Sequence, residues 1–324
     1  MIRNFLQFIF IVVLTSSLSA AASAQGGGRE NCFPFERLSA GERRQAEELL
    51  LKALDGEALY TIVGGLKPMS SGFASFRLRV ALPRVTAAEA EKTVGALGAK
   101  RAEELNDEEK RRLQQAQQAV ERAGALENIE ATRRILEKWR CGDDEIFADL
   151  EHFAREYEGR RFLDAVVFSR TGLRRMLDGK AGFFSRWGLT PNAHPLAVLY
   201  AVEYDETTAR NAGYGYLFGY PDDAVRFFVE AANEEDLTGK FVERDFVSIP
   251  TFARPENAFV YAVPKNYAEK EADRALRSRA ERILAAYKTR RAAYLGEGKK
   301  GVVEMLRDWF CAGDQCSPQN ARLE

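Results

Sequence analysis

Residues 56–82 constrain the fold most tightly, because two apolar runs flank a short break rich in glycine and proline. The runs cover residues 58–63 and 73–82, and the break between them reads GGLKPMSSG. Glycine adopts positive φ at little cost and proline fixes its own φ, so the break predicts a shaped turn. Alternating side chains over residues 73–82 predict a strand with one buried face, whereas residues 58–63 fit a strand or a helical turn.

The N-terminus is typical of an export signal. Arg3 precedes an apolar run over residues 5–14, and three small residues at positions 22–24 form a cleavage box. This run is too short for a membrane-spanning helix, which needs about twenty residues, so cleavage near Ala24 is expected rather than anchoring. We therefore expect a signal over residues 1–24 and an exported mature chain, periplasmic or extracellular, without a membrane span.

An exported chain with four cysteines most simply forms two disulfides. We favour Cys311 with Cys316, which closes a short loop, and Cys32 with Cys141, which ties down the N-terminal residues. Cys141 and Cys311 each follow a Leu-x-x-Trp-x pattern, so a bridge between these two stays open as an alternative. With oxidised cysteines and only two histidines in the chain, we expect no metal site and no cofactor.

The charge balance excludes one class of partner. Lysine and arginine (47) nearly equal aspartate and glutamate (48), whereas a sequence-independent nucleic-acid binder needs a clear basic excess. We therefore expect no nucleic acid as partner, and a charged fraction of 29% beside 46% hydrophobic residues is typical of a folded globular protein.

Helical and strand patterns are interspersed along the chain, which predicts an α+β fold. We expect a mixed or antiparallel sheet of about five strands packed with helices, and an inserted helical hairpin near residues 106–140 that breaks at Gly124. The clearest strand patterns cover residues 73–82, 162–168, 196–204, 241–249 and 258–263. The last two are neighbours in sequence and are expected to pair antiparallel.

The domain organisation predicted from these patterns is simple. Residues 25–38 are expected to form a flexible leader and residues 39–296 a single α+β domain. Residues 297–324 are expected to hold a short helix and a tail that contains two cysteines.

The first candidate site is the break itself. Backbone N–H groups of a glycine-rich turn, two hydroxyls and one ammonium could together hold a phosphate, sulfate or carboxylate. The candidate ligand-binding residues are Gly64, Gly65, Lys67, Ser70 and Ser71. The alternative is a tight connection between strands with Lys67 in solvent.

The second candidate site joins two acidic segments. If residues 196–204 form a strand, Glu203 and Asp205 point the same way at its end. Tyrosines over residues 214–220, Tyr220 among them, offer flat faces for a sugar ring, with Asp222 and Asp223 as hydrogen-bond acceptors. Two carboxylates across a cleft also suit glycoside hydrolysis. The alternative is an aromatic core followed by acidic residues at a helix N-terminus.

The third candidate is His194, which precedes Pro195 at the start of the predicted strand over residues 196–204. No G-x-S-x-G pattern accompanies it, so a hydrolytic triad has no evident nucleophile.

Two functions follow as hypotheses. The first is a non-catalytic exported protein that binds a small polar ligand, a glycan or a partner. The second is a hydrolase of envelope or extracellular polymers that uses the Glu203/Asp205 and Asp222/Asp223 carboxylates or His194. Convergence of Lys67, His194, Glu203 and Asp222 on one pocket would favour a ligand or substrate site.

Overall fold

A computed structural model describes residues 28–142, 145–254, 258–313 and 315–321. The predicted signal and its cleavage site lie outside these residues. The helices are α1 (Ala40–Asp55), α2 (Leu59–Ile62), α3 (Ala87–Gly98), α4 (Asp107–Leu136), α5 (Arg170–Gly179), α6 (Ala181–Phe184), α7 (Pro195–Glu203), α8 (Thr207–Leu217), α9 (Asp222–Thr238), α10 (Glu271–Tyr294) and α11 (Val302–Phe310). The strands are β1 (Met69–Arg79), β2 (Ile146–Tyr157), β3 (Arg160–Ser169), β4 (Arg244–Ile249), β5 (Phe259–Pro264), β6 (Cys311–Ala312) and β7 (Gln315–Cys316).

An antiparallel three-stranded sheet in the order β1-β3-β2 forms the centre of the fold. Successive side chains of its middle strand, β3, belong alternately to two hydrophobic clusters. Ala165 and Val167 belong to the larger cluster with α1, α10 and α11, whereas Val166 and Phe168 belong to a smaller one with α5, α7 and α8. Helices therefore cover both faces of the sheet, and the mixed α+β class predicted from the sequence is confirmed.

The prediction of one sheet with about five strands is wrong. The described strands form separate sheets of three, two and two strands. β4 and β5 pair antiparallel, as their closeness in sequence predicts, but they do not join the central sheet.

The strand predicted over residues 196–204 is a helix, α7. An uninterrupted apolar run is equally typical of a buried strand and a buried helix. Pro195 decides between them, because proline suits the first helical turn, where its missing N–H costs no hydrogen bond. His194 is the N-cap, and its Nδ1 accepts a hydrogen bond from the Leu196 N–H at 3.3 Å.

The predicted hairpin within residues 106–140 is also wrong, because α4 runs without a break through Gly124. A glycine in an exposed helix costs only about 1 kcal/mol, and nothing lies within 4 Å of the position its Cβ would take. Helix α3 packs against α4 through a small cluster of Ala90, Ala116 and Ala119.

Both ends of the described chain pack into the larger hydrophobic cluster. Cys32, Phe33 and Phe35, within the expected leader, are buried in the larger cluster. Helix α11 lies within residues 297–324, where a short helix is expected, and buries Leu306 and Phe310 in the same cluster. Disulfides join Cys32 to Cys141 and Cys311 to Cys316, which is the pairing that we favour from the sequence. None of the helices in the described residues is long and apolar enough to cross a membrane.

Candidate functional site

The two distinctive segments of the sequence, residues 64–72 and 214–223, meet at a groove of about 190 Å³ beside α5. We call it the Tyr220 groove. Its lining residues are Gly65, Leu66, Pro68, Gly172, Arg175, Met176, Lys180, Tyr216, Gly219 and Tyr220. Of the candidate ligand-binding residues, Gly65 and Tyr220 therefore lie in one groove.

Two glycines permit this meeting. Gly219 has φ +74°, and a Cβ at this position would lie 3.2 Å from Pro68 Cδ and 3.4 Å from Lys67 Cα. Gly65 has φ +54°, and a Cβ there would lie 2.9 Å from Ser169 Oγ, at the start of α5. A larger residue at either position would therefore be strained and would push the walls of the groove apart.

The charged groups of the groove are cationic. Arg175 lies exposed on α5, and among the described residues its guanidinium has no hydrogen bond or ion pair. Lys180 lies 5.1 Å from the centre of the Tyr216 ring, and its Nζ contacts both carboxylate oxygens of Asp222 at 2.5 Å. Because Asp222 is 65% exposed, this ion pair is weak and open to competition from another anion.

The prediction that Lys67 binds an external anion is wrong. Its side chain is 1% exposed and pairs with Glu57 at 2.5 Å. The ammonium lies 4.4 Å from the centre of the Phe259 ring and 5.4 Å from that of Phe218, an internal cation–π contact. Burial lowers the pKa of Lys67, and the charge of Glu57 opposes that shift. Lys67 thus links the break at residues 64–72 to the aromatic segment around Phe218.

We expect Lys67→Ala to lower the free energy of unfolding by about 2 kcal/mol, since it removes three buried methylene groups at roughly 0.8 kcal/mol each. Lys67→Met should restore most of this stability, because it fills the space without burying a charge. Urea denaturation of both variants checks the expectation. Equal losses in the two variants would contradict it, since the ion pair with Glu57 would then account for the loss.

The other candidate residues of the break have structural contacts. Gly64 lies against Ile283 of α10, since a Cβ at Gly64 would lie 3.2 Å from its Cδ1. Ser70 is buried and its hydroxyl bonds to Thr61 Oγ1 at 2.8 Å. Ser71 lines a different hollow of about 240 Å³. Because residues that flank the undescribed positions 255–257 line that hollow, it is not taken as a candidate site.

Glu203 does not point the same way as Asp205, contrary to the strand prediction. It is buried, and its carboxylate accepts hydrogen bonds from the Ala154 N–H and the Tyr214 hydroxyl, both at 2.7 Å. The Tyr214 hydroxyl also contacts Glu151 of β2, a fully buried carboxyl whose Oε2 has no hydrogen-bond partner among the described residues. Burial raises the pKa of Glu151 to about 7.

The remaining acidic candidates and the histidine lie apart. Asp205 accepts a hydrogen bond from Trp187 Nε1 at 2.6 Å. Asp222 pairs with Lys180, and Asp223 pairs with Arg226 and Lys270 on the surface. His194 caps α7 and packs edge-on against the Phe147 ring. Lys67, His194, Glu203 and Asp222 therefore do not line one pocket, and no group of three metal-ligating side chains occurs among the described residues.

The sequence interpretation missed the cations of the groove. Arg175 lies on α5, and Lys180 directly follows the end of that helix. Their spacing of five residues carries no motif, and only the folded structure brings them into one groove with Tyr216, Gly219 and Tyr220. Comparison with protein-family models, with curated proteins and with solved structures finds no significant match.

Proposed function

We propose that the protein is an exported, non-catalytic binding protein whose ligand is a small anionic sugar, a uronate or a sugar phosphate, held in the Tyr220 groove. The observation that carries the proposal is the guanidinium of Arg175, which has no partner among the described residues and lies beside Lys180 in a groove walled by Tyr216 and Tyr220. Export is inferred from the N-terminal signal pattern and is supported by the two disulfides.

Size and chemistry support this ligand class. A cavity of about 150 Å³ holds one benzene, so the 190 Å³ of the groove suits one six-membered ring. A planar guanidinium matches carboxylate or phosphate oxygens with two parallel hydrogen bonds. Tyrosine rings supply apolar faces on which the ring of the ligand can lie. Lys180 adds a second positive charge once the ligand displaces Asp222.

The hydrolase hypothesis has no comparable support. The contacts described above occupy Glu203 and Asp205 separately, and Asp222 and Asp223 face different cations. Two carboxylates on either side of a cleft, as glycoside hydrolysis requires, are not formed by these residues.

Calorimetric titration of the purified protein with glucuronate, glucose 6-phosphate and neutral glucose tests the proposal. We expect binding of at least one anion and not of glucose. Arg175→Gln should weaken that binding ten- to a hundredfold, since a charge-assisted hydrogen bond is worth about 1.5–3 kcal/mol. Asp222→Asn should strengthen it, because it frees Lys180 from its competing carboxylate.

Arg174→Gln is the matched control. Arg174 is exposed on the same helix but does not line the groove, so its loss changes the net charge equally and should leave binding unaltered. Equal weakening by Arg174→Gln and Arg175→Gln would show that the effect comes from general surface charge and not from a contact in the groove. No binding of either anion to the wild-type protein would refute the proposed ligand class.

A further inference from the structure

A second cavity, of about 310 Å³, lies between helices α8 and α9 and the β4–β5 hairpin. Its walls are mostly apolar, with Phe218, Val225, Phe228, Phe246 and Val260 among them. No described residue that lines it is charged, in contrast to the Tyr220 groove. A charged ligand would lose its hydration there without compensation, so the cavity excludes ions and favours a neutral molecule.

The hydroxyls of two tyrosines in the wall are already engaged outside the cavity. Tyr261 donates to Asp273 at 2.5 Å, and Tyr214 bonds to the Glu151 and Glu203 pair. Both tyrosines therefore offer the cavity only their ring surfaces. The wall thus gains two more apolar faces.

Two polar groups in the wall have no hydrogen-bond partner among the described residues: the hydroxyl of Tyr220, which also lines the Tyr220 groove, and the side chain of Asn211 on α8. Asn211 is half-buried. A carboxamide has two N–H donors and an acceptor oxygen, and leaving them unmatched against an apolar wall costs free energy. An apolar site with a few polar groups that can orient a ligand is the usual composition of a small-molecule pocket.

We propose that this cavity binds a small neutral aromatic molecule with one hydroxyl or carbonyl group, which Asn211 holds by a hydrogen bond. The volume is about twice the 150 Å³ cavity that holds one benzene, so a two-ring molecule fits. Phe246 is 62% exposed and Phe228 is 38% exposed, which gives such a ligand an aromatic entrance from solvent. The inference does not depend on the ligand of the Tyr220 groove.

Equilibrium dialysis with 2-naphthol and with naphthalene tests the proposal, because the two probes differ only in the hydroxyl. We expect saturable one-to-one binding of both, with 2-naphthol bound about two- to tenfold more tightly, the value of one net hydrogen bond. Asn211→Leu should abolish this difference and leave naphthalene binding nearly unchanged. Val260→Trp should fill the cavity and weaken both probes at least tenfold.

Leu237→Ser is the control, since Leu237 lies on α9, is 86% exposed and is not part of the cavity wall. It should leave both affinities unchanged. The absence of saturable binding, or equal loss of both probes in Leu237→Ser and Val260→Trp, would overturn the proposal. So would a self-association in sedimentation that depends on Phe246 and that neither probe displaces. Should Val260→Trp fail to fold, the change in probe preference in Asn211→Leu decides the question.

Discussion

Replacement of Cys32 and Cys141 together by alanine is expected to lower the free energy of unfolding by about 4–5 kcal/mol. The disulfide closes a loop across a sequence separation of 109 residues. In the chain-entropy model, a cross-link over about 100 residues restricts the unfolded chain by roughly 4.7 kcal/mol at 25 °C. Guanidinium denaturation of the variant beside the oxidised wild-type protein measures the difference.

The second disulfide supplies the matched control. Cys311 and Cys316 are five residues apart, so the same model gives their bridge only about 2 kcal/mol. The folded state of the Cys32→Ala/Cys141→Ala variant should keep its N-terminal contacts, because Arg307 donates to the Cys32 carbonyl at 2.9 Å and pairs with Glu36. Equal losses from the two double variants would contradict the loop-length explanation.

The free energy of unfolding is expected to fall by about 3 kcal/mol between pH 4.5 and pH 7 through the carboxyl of Glu151 alone. The Tyr214 hydroxyl contacts both Glu151 and Glu203 but has one proton, so it can donate to only one of them. The other carboxyl must then be neutral and donate in turn. Burial first, and then the charges of Glu203 and Asp164, raise the pKa of Glu151 to about 7.

The sign follows from comparison with the unfolded chain, where this carboxyl has its ordinary pKa of 4.5. A raised pKa means that the folded state holds the proton more tightly, so the stabilisation is complete below pH 4.5. It is lost as the pH rises to about 7. Each pH unit between the two pKa values corresponds to 1.36 kcal/mol, which gives the expected total.

Glu151→Gln tests this assignment, because its amide donates a hydrogen bond as the protonated carboxyl does but does not ionise. We expect urea denaturation from pH 4.5 to 8 to give a flatter profile for this variant, which becomes more stable than the wild type at pH 8. Glu156→Gln, on the same strand but with its side chain 42% exposed, should follow the wild-type profile. Parallel profiles for Glu151→Gln and the wild type would show that the proton that stabilises the folded state is not bound to Glu151.

Helix starts were predictable because their signals are local. Ser39 with Glu42 and Thr86 with Glu89 both form the capping boxes that their spacing indicates. The strand at residues 162–168 was predictable from its apolar run. Strand β2 was not predictable. Its polar residues Glu151 and His152 are buried and half-buried, so the sequence shows no regular alternation of apolar and polar residues. Their burial depends on contacts with Tyr214 and Tyr200 from distant helices.

The candidate site was predictable only as separate segments. Glycine and proline mark residues 64–72 as a shaped connection, and tyrosines mark residues 214–220 as aromatic. Nothing local shows that Gly219 approaches Pro68, or that Lys67 turns inward to Glu57 while Arg175 has no partner among the described residues. These contacts arise from the packing of α5 and α8 on the central sheet, which a single sequence does not reveal.

The proposed anion site is tested most directly by crystals of the protein that are soaked in sodium bromide and measured at the bromine absorption edge. We expect a bromide peak in the Tyr220 groove, in contact with the Arg175 guanidinium and the Lys180 ammonium. That peak should vanish in Arg175→Gln and persist in Arg174→Gln. Bromide at other surface cations with the groove left empty would contradict the proposal that this groove binds an anion.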